Sequence, residues 1–154
     1  MRKSLLYIIA IILGAYCMAR KCEPELISKE KRAKRSSQNF IVACKWIGVL
    51  QDGKSIRDYF SERRTEKVAI YGMGDLGRCL LRELQQIDVK VEYIIDKNQN
   101  QKMKGYSFFS PEDYLPEVDI IIITPSYDYL EIAENLNKRV KAAIISLDDI
   151  ISDL

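Results

Sequence analysis

The sequence predicts an α/β fold: a small, doubly wound parallel sheet in order 3-2-1-4-5, preceded by a helical pair and an N-terminal transmembrane helix. Three observations carry the prediction. Lys67-Val68-Ala69-Ile70-Tyr71 reads as a strand, and the turn Gly72-Met73-Gly74-Asp75-Leu76-Gly77 follows it at once into a helix. Val118 to Thr124 has the unbroken apolar centre of a strand buried on both faces, which is the pattern of a parallel sheet. Leu5 to Ala19 is a run of fifteen residues without a charge, bounded by Arg2-Lys3 and Arg20-Lys21.

Composition narrows the function classes. The chain has 154 residues, 47% of them hydrophobic and 30% charged, which suits one globular domain with an appendage rather than wholesale disorder. A net charge of +2 is too balanced for a generic nucleic-acid binder. There is no histidine, so His-based triads, histidine general bases and His-ligated zinc are excluded. Cys17, Cys22, Cys44 and Cys79 form no C-x-x-C pair and read as buried small hydrophobes of a reduced compartment.

The elements follow in order. Residues 1–22 read as an uncleaved membrane anchor, because a signal-peptide cut after Ala19 would leave Arg20 at the new terminus. Basic residues concentrate after the run, so the positive-inside rule predicts a single-pass membrane protein with residues 20–154 in the cytoplasm. Residues 23–37 are a basic juxtamembrane linker. In the helical pair, residues 38–64, Phe40, Ala43, Cys44, Ile47 and Leu50 recur at helical spacing, and Asp52-Gly53 breaks the pattern. Ser55 with Asp58 then starts a second helix, whose Ile56, Tyr59 and Phe60 form its apolar side. Trp46 and Tyr59 are expected to pack this pair onto the following domain, and residues 38–63 are a candidate self-association surface.

The main domain, residues 65–154, carries the candidate site. Gly72 permits the tight strand-to-helix turn, Gly74 lets a phosphate approach the backbone, and Gly77 lets the helix pack on the strand. Free N–H groups and the positive dipole end of that helix suit a phosphate. Leu76, Leu80, Leu84 and Ile87 form its buried face, and Asp75 is expected to face solvent. The second strand, Val89 to Ile95, ends at Asp96, nineteen positions beyond Gly77, where a carboxylate can hold ribose hydroxyls. After the polar loop from Lys97 to Gly105 come a brief strand, Tyr106 to Phe109, and a helical turn at Pro111-Glu112-Asp113. The fourth strand ends at Thr124-Pro125-Ser126, where Ser126 is expected to N-cap the next helix, faced by Tyr129, Leu130, Ala133 and Leu136. A strand from Ala142 to Leu147 and a short closing helix end the chain. The candidate nucleotide-binding set is Gly72, Met73, Gly74, Asp75, Leu76, Gly77, Asp96, Lys97, Thr124, Pro125 and Ser126.

The runs K-V-A-I-Y-G-M-G-D-L-G-R, Y-I-I-D-K-N, S-P-E-D, V-D-I-I-I-I-T-P and I-I-S-L-D-D-I-I together resemble the small Rossmann domains of bacterial polysaccharide-biosynthesis loci. Related modules stand at the N-terminal end of nucleotide-sugar dehydratases, epimerases and sugar acyltransferases. The resemblance implies a nucleotide or nucleotide-sugar ligand, with NAD or a nucleotide-sugar as the bound group. It carries phosphate binding onto Gly72, Gly74 and Gly77 and ribose binding onto Asp96. No catalytic acid–base pair is assigned, neither a Tyr-x-x-x-Lys dyad nor a substitute for one. The reading is therefore a membrane-tethered, non-catalytic nucleotide-binding accessory of envelope polysaccharide biosynthesis, with a polysaccharide-biosynthesis enzyme as a possible partner. The alternatives are a minimal NAD-dependent oxidoreductase or epimerase completed by a partner, and an interaction protein whose core binds nothing.

Overall fold

The computed structural model describes residues 2–61, 65, 67–87, 89–98, 100 and 103–154. The chain divides into two compact units, residues 1–36 and 37–154. One helix, α1 (Arg2–Gln51), supplies all of the first unit and opens the second. In the first unit its polar stretch is exposed and carries the i,i+4 ion pairs Glu25–Lys29 and Glu30–Lys34, each worth a few tenths of a kcal/mol in such positions.

The transmembrane segment and the single-pass placement are overturned. Among the described residues no helix is long and apolar enough to cross a membrane. Leu5 to Ala19 spans roughly 22 Å as a helix, against a hydrocarbon core of about 30 Å. Beyond Ala19, α1 continues directly into Arg20 and Lys21, and no apolar residues extend the run. The side chains of Cys17 and Cys22 lie outside the described residues.

The second unit is a five-stranded, wholly parallel sheet: β1 (Lys67–Tyr71), β2 (Lys90–Ile95), β3 (Ser107–Phe109), β4 (Ile120–Ile123) and β5 (Ala143–Ser146). The order is β3-β2-β1-β4-β5, as the sequence predicts, and is compatible with a Rossmann-like fold. Helices α2 (Ile56–Ser61), α3 (Asp75–Leu84), α4 (Tyr129–Asn137) and α5 (Leu147–Ser152) complete it. Alternate strand residues feed two cores. Val68, Ile70, Ile94, Ile120 and Ile122 pack with α2, α3, α5 and the end of α1. Ala69, Tyr71, Tyr93, Ile121 and Ile123 pack with α4 and Leu115 on the other face.

Local sequence explains the joints. The Ser55 N–H donates to Asp58 Oδ2 at 2.7 Å, the Asp58 half of the expected capping pair at the start of α2, and Ile56, Tyr59 and Phe60 are buried. Glu83 of α3 accepts the Ile56 N–H at 3.1 Å, and Lys45 of α1 pairs with Asp148 of α5 at 2.7 Å. Three expectations about faces need correction. Among the described side chains of α1 the buried ones are Val42 and Trp46, while Phe40, Cys44, Ile47 and Leu50 are exposed, because the end of this helix is apolar on two sides and the core takes the other one. Cys79 is also exposed, its neighbours Leu80 and Leu81 taking the inward positions. In α4 Ile132 faces the sheet and Leu130 is exposed.

Candidate functional site

The site lies at the carboxyl edge of the sheet, where β1 stands between β2 and β4 and the strand order reverses. In open α/β sheets this edge forms the ligand crevice. Leaving β1, Gly72 adopts φ +91°, a left-handed conformation that a side chain would strain. A Cβ there would meet the Pro125 ring and Thr124 Oγ1, both at 2.9 Å. Gly77, in the first turn of α3, sits so close that a Cβ would lie 2.1 Å from the Gly72 carbonyl oxygen. These two glycines are therefore fixed by packing. Gly74 is different: it precedes α3 at φ −74°, and nothing lies within 4 Å of the place a Cβ would take. The space that a phosphate needs over the second glycine is open. Asp75, Leu76 and Gly77 are the first residues of α3, and helix geometry leaves their N–H groups without intrahelical acceptors.

Two side chains hold the turn in place. Asp96, directly after β2, accepts the Met73 N–H on Oδ2 at 2.7 Å and the Asn98 N–H on Oδ1 at 2.7 Å. Its carboxylate thus ties the glycine turn to the end of β2, a positioning role beside the ribose role read from the sequence. Thr124, buried after β4, donates its hydroxyl to the Gly72 carbonyl at 2.8 Å, and its N–H donates to the Tyr71 carbonyl at 3.0 Å. It is a latch rather than an exposed crevice group. Pro125 packs on the turn beside it. Ser126 does not cap α4: it opens a short 3-10 turn, Ser126–Asp128, and its buried Oγ has no hydrogen-bond partner. The Met73 and Leu76 side chains belong to the core, so these residues can offer a ligand only their backbone. Asp75 faces solvent as expected, and Lys97 is exposed beside Asp96.

A cleft of about 320 Å³ adjoins these elements on the α4 face. It runs from Tyr71 and Lys97 past Pro111 and Glu112 to Glu131 and Asn135 of α4. Burial, reinforced by the charges of Asp96, Glu112, Glu131 and Asp128, pushes the Tyr71 hydroxyl above its usual pKa, so it stays protonated. Tyr71 is a neutral part of the cleft lining, and the charged groups around it are of both signs, Glu112 and Glu131 with Lys97, Lys138 and Arg139. Arg139, after α4, closes the far side by donating to the carbonyls of Pro111, Glu112 and Asp113. Tyr71, Glu112, Glu131 and Arg139 were not legible as site residues in the sequence. Tyr71 alone carried a signal, as the last residue of the strand before the glycine turn. A larger cleft of about 550 Å³ opens near Lys67, Asp119 and Ala142, where strands begin. That is the opposite edge from the glycine turn, and the smaller cleft is the one beside the candidate chemistry.

One spacing passed over in the sequence, Tyr93-Ile94-Ile95-Asp96-Lys97, does match Tyr-x-x-x-Lys. It makes no acid–base dyad. Tyr93 lies in β2, where four residues span about 13 Å, unlike the adjacent positions they give on a helix. Its hydroxyl is spent on the Pro116 carbonyl at 2.8 Å, and burial pushes its pKa up to about 12. Among the described residues no group of three or more acidic or cysteine side chains is arranged for a metal.

Residues 64–145 match the family model of the C2185-like N-terminal domain, from just before β1 to within β5. The chain belongs to this C2185-like family. No curated protein and no solved structure matches it. The matched span contains the glycine turn, Asp96, Thr124 and the cleft, so the family segment and the candidate site coincide.

Proposed function

We propose that this C2185-like domain binds a nucleotide or nucleotide-sugar at the Gly72–Gly77 turn without transforming it. One observation carries the reading: of the three glycines in the turn, two are filled by packing and the middle one, Gly74, faces open space. A turn kept only for strand–helix packing has no need of a glycine there. The fit of a bound nucleotide is tested by the same geometry. Its phosphate would meet the N–H groups of Asp75, Leu76 and Gly77 at the start of α3. Its ribose would meet Asp96, and its base the neutral lining at Tyr71. The Asp96 carboxylate disfavours a 2′-phosphate at the ribose, so NAD is favoured over NADP. A role as accessory to polysaccharide biosynthesis rests on the sequence resemblance, and a non-catalytic role on the absence of an assignable acid–base pair.

The test uses the full chain, titrated with NAD, NADP, UDP-sugars and CoA by thermal shift and calorimetry, beside Gly74→Ala. Micromolar affinity corresponds to about 8 kcal/mol, and ligand at a hundredfold excess over Kd would stabilise the fold by about 2.7 kcal/mol. Gly74→Ala is expected to fold normally and lose the shift. If no nucleotide shifts the wild-type transition, the turn is a packing device and the proposal fails.

A further inference from the structure

The cleft of about 550 Å³ at the opposite edge of the sheet is within the usual size range of small-ligand sites. β1, β4 and β5 begin there side by side, Val68 level with Ile120 and Ile120 level with Ala143. The backbone at this edge is paired. The Lys67 carbonyl accepts the Asp119 N–H at 3.0 Å, the Asp119 carbonyl accepts the Ala143 N–H at 2.9 Å, and Asp119 Oδ2 accepts the Lys67 N–H at 2.9 Å. Recognition at this edge therefore falls to side chains.

Those side chains are of two kinds. Tyr93, Leu115, Val118 and Ala142 give the cleft an apolar side continuous with the core on the α4 face. This wall is fixed, since Leu115 is buried and the Tyr93 hydroxyl donates to the Pro116 carbonyl at 2.8 Å. Tyr114 stands on the rim 88% exposed, a ring with almost no cover. Against the apolar side stand Lys67, Lys141 and Arg139. Neither lysine ammonium has a partner among the described residues. Arg139 gives three of its five N–H donors to the Pro111, Glu112 and Asp113 carbonyls and keeps two. Glu117 and Asp119 line the cleft as well, the Asp119 carboxylate being engaged at the start of β1. Three cations against two carboxylates leave one positive charge beside an apolar wall.

We propose that this cleft binds a small aromatic monocarboxylate, its carboxylate held between Lys67, Lys141 and Arg139. Lys67 and Lys141 stand at the starts of β1 and β5, two strand spacings or roughly 10 Å apart, so both ammoniums can converge on an anion lying over the start of β4. A carboxylate suits the two remaining donors of Arg139, because charge-assisted bonds to a guanidinium are the strong ones. The ring lies on Leu115 and Val118 and gives Tyr114 the aromatic neighbour it lacks. One surplus positive charge matches a monoanion, whereas a dianionic phosphate ester would be left underpaired beside Glu117. The proposal does not depend on the nucleotide reading, since the glycine turn lies at the other edge of the sheet.

The test titrates isotopically labelled full chain with benzoate and phenylacetate, and with phenylacetamide and acetate as probes lacking the charge or the ring. At least one aromatic carboxylate should give saturable shifts at the amides of Lys67, Val118, Val140 and Ala142, and none at Gly74 and Asp75. Phenylacetamide and acetate should bind at least tenfold more weakly, the first without charge-assisted bonds and the second without apolar contact. The variant K67Q/K141Q changes two exposed side chains that line this cleft and not the smaller one, so it should keep the wild-type melting transition and bind at least tenfold more weakly. Arg139 lines both clefts and stays unchanged in the test. The proposal is overturned if neither carboxylate gives saturable shifts at these amides up to about 10 mM, where even fragment-sized ligands register. Equal affinity for phenylacetamide or acetate, or equal affinity of the folded K67Q/K141Q, overturns it as well.

Discussion

Gly77→Ala places a methyl 2.1 Å from the Gly72 carbonyl oxygen, where 3.4 Å is ordinary contact. The obstacle is backbone, so no side chain can swing aside, and α3 must move outward by more than an ångström. That motion loosens Leu76, Leu80 and Leu84 in the core. It also strains the 2.8 Å hydrogen bond from Thr124 to the Gly72 carbonyl. Alanine in a helix would by itself gain about 1 kcal/mol over glycine. Overpacking of this kind costs about 3 kcal/mol or more, and a weakened buried hydrogen bond about 1 kcal/mol. The net expectation is a loss of about 2–4 kcal/mol, which for a unit of this size lowers Tm by roughly 10–15 °C. Gly74→Ala is the matched control, since its methyl meets nothing and φ −74° suits any residue. Its Tm should stay within about 3 °C of wild type, because the methyl also restricts the unfolded chain. Thermal and urea denaturation followed by circular dichroism checks both. Equal stability of Gly77→Ala and wild type would refute the close seating of α3 on the turn.

Three further outcomes follow from the same geometry. Thr124→Val keeps the shape but leaves the Gly72 carbonyl without its donor, so urea denaturation should show a loss of about 1–2 kcal/mol. Tyr93, with its pKa raised to about 12, stabilises the fold fully below the unfolded value near 10 and loses that contribution as pH rises from 10 to 12. The stability gap between wild type and Tyr93→Phe should therefore narrow by about 1–2 kcal/mol across that window, after allowing for solvent screening. A gap that stays flat from pH 9 to pH 12 contradicts the burial of this hydroxyl. Arg139→Ala removes the donor shared by the Pro111, Glu112 and Asp113 carbonyls. It should speed amide exchange across residues 110–116 and cost about 1–2 kcal/mol, and unchanged exchange there would show that the guanidinium does not hold the turn.

The sheet was legible because each of its signals is local. A strand running straight into a glycine turn, a second strand ending in Asp96 and four consecutive isoleucines in β4 fix the order once crossovers are right-handed. What failed depended on partners distant in sequence. Phe40, Cys44 and Ile47 show helical periodicity as clearly as Val42 and Trp46, and periodicity does not say which of two apolar faces a core takes. The run from Leu5 to Ala19 carries the composition of a membrane segment, while length decides whether it can span one. Ser126 has the residue type of a helix cap, but a 3-10 turn separates it from α4. The latch made by Thr124 arises from the register of β4 on β1, and the Arg139 contacts from the packing of α4 against residues 110–113. Neither leaves a trace in local spacing. Asp96 was placed correctly at the end of β2, yet its bond to the Met73 N–H shows that it also shapes the turn it was expected only to accompany.

The central claim is that the open space over Gly74 receives a nucleotide phosphate. It is tested most directly by titrating isotopically labelled full chain and Gly74→Ala with NAD and UDP-sugars while following backbone amide resonances. The account predicts saturable shifts at Gly74, Asp75, Leu76 and Gly77, followed by Asp96 and Tyr71, with at least one ligand, and their loss in a folded Gly74→Ala. Saturable shifts that leave these amides unmoved, or equal binding by the variant, would contradict it.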